Sequence, residues 1–253
     1  MSLLSEAWLP VVTNNGSHKW VSVFDLADPD ILAFNASRPD FNAALVQFAI
    51  GLLQTAAPLN SESGWRNWFI TPPDVATLRQ WFEPYAKIFE FDGDGARFMQ
   101  DCTLDEKADV PIANLLIESP GKNTLDENID HFVKRGRIKL LCPHCAVTAL
   151  LTLQINAPAN GRGHLTGLRG GGPLHHHYWL PTTTQLVARP MAQRARSGSV
   201  SQPMRQRHID GRAFSIPVVG KYFGYSKKIR WHYNFPKRSS QSRVLGHASA
   251  YST

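Results

Sequence analysis

The last 80 residues of the chain hold one acidic residue, Asp210, against 13 lysines and arginines, a net charge of +12. The first 173 residues hold 14 Lys and Arg against 19 Asp and Glu, a net of −5. The overall charge of +7 and the pI near 9.5 are therefore properties of the C-terminal third. A basic segment of this kind suits phosphate contacts, and it equally suits a stretch that never packs. Long apolar runs are also lacking. No stretch of 18 apolar residues occurs, so no membrane span is expected. Met1-Ser2-Leu3-Leu4-Ser5-Glu6 has no basic region ahead of an apolar core, so no secretory signal is expected. Cysteine is scarce, with three in the chain, two of them in Cys142-Pro143-His144-Cys145. An odd count excludes a disulfide framework and points to a reducing cytoplasm, with a metal knuckle or a redox pair.

Several motifs are missing where their outlines begin. Gly161-Arg162-Gly163 is not followed by the Gly-Lys-Ser/Thr of a phosphate-binding loop, and it lacks the third glycine of a dinucleotide fingerprint. Asp92 and Asp94 resemble the start of a calcium loop, but the later ligands and closing Glu are absent, which leaves a plain turn. Nothing reads as a nucleophile with its base. An enzyme using Cys142 or Cys145 with a histidine is the weakest reading, and no catalytic activity is expected.

What is present begins with 43% hydrophobic residues in 253, enough for one large or two ordinary domains. Leu3 to Val12 and Lys19 to Phe24 are short apolar runs around Asn14-Asn15-Gly16, a hairpin signal. Pro10 suits an edge strand. Trp8 and Trp20 read as core, with a cross-strand pair as the alternative. Ser37-Arg38-Pro39-Asp40 reads as a helix start capped by Ser37, and Phe41, Leu45, Phe48 and Leu52 then share one helical face. Asn60 to Gly64 reads as a polar loop. Pro72-Pro73-Asp74 opens a second helix, interrupted at Glu83-Pro84. Ile88 to Gly95 reads as a strand into a turn, and Ile112 to Ile117 as another apolar element. Short strands and separate helices that do not alternate regularly give an α+β fold class.

Residues 132–173 concentrate the chemistry. The basic run Lys134, Arg135, Arg137, Lys139 leads into the Cys-Pro-His-Cys knuckle and the apolar run Ala146 to Ile155. A glycine-rich basic loop follows, from Gly161-Arg162-Gly163 to Pro173. Cys142 and Cys145 are half of a tetrahedral zinc site. Cys102, His164 and His175-His176-His177 are the remaining candidate ligands, but the chain has no second CxxC, so an unmetallated, half-buried pair is the stronger reading. A redox CxxC commonly opens a helix beside a βαβ unit, and no such unit is predicted here. Arg162 between two glycines reads from composition as a solvated arginine in a tight turn; entry into a DNA minor groove is the alternative. Arg189 to Arg212 lacks periodicity. Ser215 to Phe235 sets Lys227, Lys228 and Arg230 among aromatics, which fits nucleic-acid contact or a strand with a basic outer face.

Taken together, LLSEAWLPVV, DFNAALVQFAIGLLQTAAP, ARFMQD, DHFVKRG and LLCPHCAVTALLTLQINAPANGRGHLTGLRGGGPL occur in the order that resembles the large subunit of the type I-E CRISPR Cascade complex, the CasA family. The resemblance runs from residue 3 to about 174, and YFGYSKKIRW is similar to a later strand of the family. It implies a non-catalytic, cytoplasmic antiviral-defence protein. Such a protein assembles with the other Cascade subunits and CRISPR RNA. It binds target double-stranded DNA at the adjacent motif (PAM) and recruits a helicase-nuclease, while the guide RNA reads the long target. It further implies that Phe132, Val133, Lys134, Arg135 and Gly136 match a DNA-facing loop, with Arg137 and Lys139 continuing its basic run. Asn160, Gly161, Arg162 and Gly163 match the loop at the PAM. Cys142 and Cys145 match a CxxC that joins a second CxxC to hold zinc. The expected organisation is a family-like domain over 1–180, a divergent basic segment over 181–235 with a strand at 215–235, and a polar tail over 236–253. The family's C-terminal four-helix bundle has no counterpart, so a truncated or divergent form is expected, with residues 175–253 read as a frameshifted or degenerate product. The alternative is a general basic nucleic-acid-binding protein without PAM specificity.

Overall fold

The structure is a computed structural model that describes residues 1–58, 61–94, 97–100, 111–134 and 136–156. The Asn-Asn-Gly signal is realised: β1 (Leu9–Thr13) and β2 (His18–Val21) pair antiparallel, with Gly16 at φ +82° in the turn. That dihedral lies in the left-handed region where glycine is free of Cβ strain. A third strand, β3 (Ile31–Phe34), joins the far side of β1 and gives the order β2-β1-β3. Pro10 is thus in the central strand, not at an edge. The position is tolerated because Pro10 faces β3 just past the last pair, Val11–Phe34. There its carbonyl accepts from Asn35 N at 2.8 Å and no ladder donor is required of it.

The two tryptophans separate. Trp8, ahead of β1, is fully buried, donates from Nε1 to the Leu3 carbonyl at 2.6 Å and meets Phe48 edge-on. Trp20 lies opposite Pro10 on the outer face and is 39% exposed, so only one of the two is core and they form no pair.

Helix α1 (Pro39–Ala56) buries Phe41, Leu45, Phe48 and Leu52, the predicted face. Its cap residue is Arg38, not Ser37, and no side chain caps it. Asn42 instead closes the entry by bonding both the amide and the carbonyl of Ala36. The expected polar loop at 60–64 is corrected: Ser61 caps Gly64 N at 3.2 Å and opens α2 (Glu62–Ile70). Low hydrophobicity hid this helix, whose inward residue Trp65 touches Trp68. Asp74 caps α3 (Val75–Phe82) through Thr77 N at 2.8 Å, as its sequence predicts. Pro84 then lies in a 3-10 helix over Glu83–Phe89. The strand expected from Ile88 is therefore absent among the described residues there, and Glu90 makes a single bridge to Ser2. Met1 and Leu3 bond the backbone of Phe91 and Phe89, which ties the N-terminus to this turn.

A short 3-10 helix (Ile112–Leu115) and α4 (Lys122–Asp126) lead to α5 (Pro143–Asn156). Every residue from Ala146 to Ile155 is buried. A helix apolar on all sides belongs inside a core, and α5 packs against α1 and the Ile112–Leu115 turn. Its buried threonines are satisfied within the helix, Thr148 Oγ1 donating to the His144 carbonyl and Thr152 Oγ1 to that of Thr148. Gln154 Nε2 donates to the Met99 carbonyl at 3.0 Å. Helices around a small antiparallel sheet make the fold α+β, as expected. The predicted segments over 157–180, 181–235 and 236–253 lie outside the described residues.

Candidate nucleic-acid interface

The segment between α4 and α5 carries the basic run, and its shape follows from two left-handed residues. Asn128, at φ 55°, ends α4, where Ile129 N bonds the Thr124 carbonyl. Gly136, at φ 71°, turns the chain again. Between them the alternation of side chains is sharp. Phe132 is 79% exposed, while Val133 is 3% exposed and belongs to the core cluster. Val133 is thus the anchor of the segment and not part of its outer surface, a correction to its expected place among the DNA-facing residues. Lys134 donates to the Asp130 carbonyl and lies 3.7 Å from its carboxylate, so its charge is partly matched. Arg137 and Lys139 are exposed without a side-chain partner among the described residues. Arg135, Asn160, Gly161, Arg162 and Gly163 lie outside the described residues.

Sequence reasoning missed the apolar half of this surface. Leu140 is 87% exposed and Ile129 is 48% exposed. With Phe132 they interleave apolar groups with cations over a dozen residues, the mixture that nucleic-acid surfaces use. The sequence signal is Leu140, an apolar residue directly after the basic run that ends at Lys139. Leu141 does pack against the core and Leu140 does not.

The knuckle follows directly. Cys142 is exposed at the entry to α5, and Cys145 is half-buried one turn in. The Cys145 amide donates to Cys142 Sγ at 3.2 Å. Hydrogen bonding to Cys142, with burial, pushes the Cys145 thiol well above the usual thiol range. His144 meets Trp20 at a tilt of 44°, ring centres 5.0 Å apart, and its burial there holds its pKa below the ordinary 6.5. Cys145, His144 and Trp20 line a cleft of about 400 Å³ together with His18, Lys19 and Asn35. Among the described residues no group of three His, Cys, Asp or Glu could hold a metal, and closure of a tetrahedral zinc site needs four ligands. Cys102, His164 and His175–His177 lie outside the described residues.

The family described as CRISPR-associated protein Cse1 matches residues 2–218. The chain belongs to the Cse1 family. Solved structures share its fold. Cse1 from Acidimicrobium ferrooxidans aligns with a TM-score of 0.51 at 18% identity, covering 76% of this chain and 37% of that one. Cse1 from Thermobifida fusca gives 0.51 at 17% identity, covering 62% and 30%. A chain of a CRISPR RNA-guided surveillance complex gives 0.51 at 16% identity, covering 67% and 37%. This Cse1 chain therefore spans about a third of the length of the structures it matches. No helix among its described residues is long and apolar enough to cross a membrane.

Proposed function

We propose that this chain is a DNA-binding subunit of a type I-E CRISPR RNA-guided surveillance complex. It contacts duplex DNA beside the target, reads the PAM and presents the bound DNA to a helicase-nuclease, without a catalytic step of its own. One observation carries the reading. Phe132, Arg137, Lys139 and Leu140 are all exposed on a segment pinned to the core by Val133 on one side and by the buried helix α5 on the other. A pinned segment offers cations for phosphates and an aromatic for base steps at a low cost in ordering. Membership of the Cse1 family and the fold shared with a surveillance-complex chain support this reading. Arg162, in the glycine-rich stretch that follows α5 in sequence, is the residue proposed to face the PAM.

The test uses the complex assembled with this chain and its CRISPR RNA. Duplexes with the matching PAM bind more tightly than duplexes with that motif scrambled, and Arg162→Ala narrows the difference. Equal binding of both duplexes by an assembled complex refutes PAM reading. The +12 charge of residues 174–253 favours a second reading, a basic module without PAM specificity. In that case deletion of residues 181–253 abolishes binding, and the intact chain loses affinity steeply with salt.

A further inference from the structure

Phe132 shows water a ring that the hydrophobic effect draws inward, so its exposure needs a cause. The backbone around it carries two restraints. Val133, the next residue, is buried in the core cluster and fixes the inner side of the segment. Asp130 and Lys134 close its base: the Lys134 ammonium donates to the Asp130 carbonyl and lies 3.7 Å from the Asp130 carboxylate. The Asp130 side chain is only 10% exposed, whereas that of Lys134 is half-exposed. A carboxylate so far removed from water requires charged or hydrogen-bonding partners, and Lys134 reaches it from the solvent side. Residues 130–134 thus form a short loop, closed by the Lys134 side chain, with the ring between its ends. Its entry is set as well, since Asn128 turns at φ 55° and Ile129 N fastens to the Thr124 carbonyl.

We infer that Asp130 is a positioning residue for DNA binding: with Lys134 it braces the base of the loop and holds the Phe132 ring outward. The inference rests on the reading that this segment meets DNA. It gives two charged residues roles that their signs alone do not suggest. An acid beside a DNA-facing segment repels phosphates, so by charge alone its removal tightens binding. As one half of the brace Asp130 acts in the other direction, because a ring already fixed in place loses less freedom on meeting a base step. Lys134 serves as the other half of the brace. Arg137 and Lys139, exposed beyond the turn at Gly136, keep their charge for phosphates.

The experiment measures duplex DNA binding by the complex assembled with the full chain and its CRISPR RNA. The variants are Asp130→Asn, Lys134→Gln and Phe132→Ala, alone and with each of the first two combined with the third. Asp130→Asn keeps the shape of the side chain and removes its charge. It weakens binding by part of the about 5- to 150-fold that loss of the ring costs. It has no further effect where Phe132 is already alanine. A merely structural role lowers affinity equally in both backgrounds. Tighter binding by Asp130→Asn, or an equal loss with and without the ring, overturns the inference and leaves the DNA-binding reading standing. No loss for Phe132→Ala removes both. If Asp130→Asn does not assemble, Lys134→Gln, at a half-exposed side chain, tests the same brace. It loses more affinity with the ring present than without it, and equal losses overturn the inference.

Discussion

Phe132 and Val133 are neighbours in sequence with opposite surroundings, and replacing each by alanine separates folding from binding. Val133 is 3% exposed in the core cluster. Val133→Ala removes two buried methyl-sized groups at about 0.8 kcal/mol each. The cavity left behind raises the loss to about 2–3 kcal/mol. For a domain of this size that lowers Tm by about 4–12 °C. Phe132 is 79% exposed, so Phe132→Ala changes stability by no more than about 0.5 kcal/mol. If its ring meets bases, the same change costs about 1–3 kcal/mol of binding, a rise in Kd of about 5- to 150-fold. The assays are thermal unfolding of the chain and DNA titration of the assembled complex at one fixed salt concentration. A fall in Tm for Phe132→Ala equal to that for Val133→Ala, with DNA affinity unchanged, refutes the assignment of outer and inner faces.

Three further outcomes follow from the geometry. Lys139→Ala reduces the salt dependence of DNA binding by about one counterion in the log–log slope, whereas Lys134→Ala, whose charge is partly matched by Asp130, reduces it less; equal slopes for both contradict this. Phe48 meets Trp8, Phe89 and Phe98 edge-on in the core. Phe48→Ala therefore costs about 3–5 kcal/mol in a denaturant titration, and a cost below that of Val133→Ala speaks against its central place. The bonds from Thr77 to the side chain of Asp74 hold that carboxyl below its ordinary pKa of 3.8. A depressed folded pKa means that the cap stabilises fully above 3.8 and loses its effect as pH falls through the folded value. Asp74→Ala is thus destabilising at pH 7, and its Tm converges on that of the unmodified chain in acid; a constant offset down to acid denaturation argues against the cap.

The sequence by itself settled features that depend on near neighbours. Asn14-Asn15-Gly16 specified a hairpin because positive φ is a local demand. Asp74 specified a helix start because its carboxylate bonds an amide three residues on. The face of α1 was legible because Phe41, Leu45, Phe48 and Leu52 repeat at the helical period. The α+β class and the family-bearing motifs were legible for the same reason, being patterns along the chain. Other features needed the third dimension. Ala146 to Ile155 is apolar at every phase, so periodicity could not tell strand from helix; enclosure by α1 and the Ile112–Leu115 turn decided it. Pro10 became central only when β3 arrived from 20 residues away. Trp8 and Trp20 carry the same side chain, and only the packing of α1 and α5 against the sheet sent one inward and left the other beside His144. The basic run was plain in the sequence, but which of its members face outward was not. Exposure depends on what lies opposite each side chain, and at residues 132–141 that is supplied by the core beneath Val133 and the helix behind Leu141.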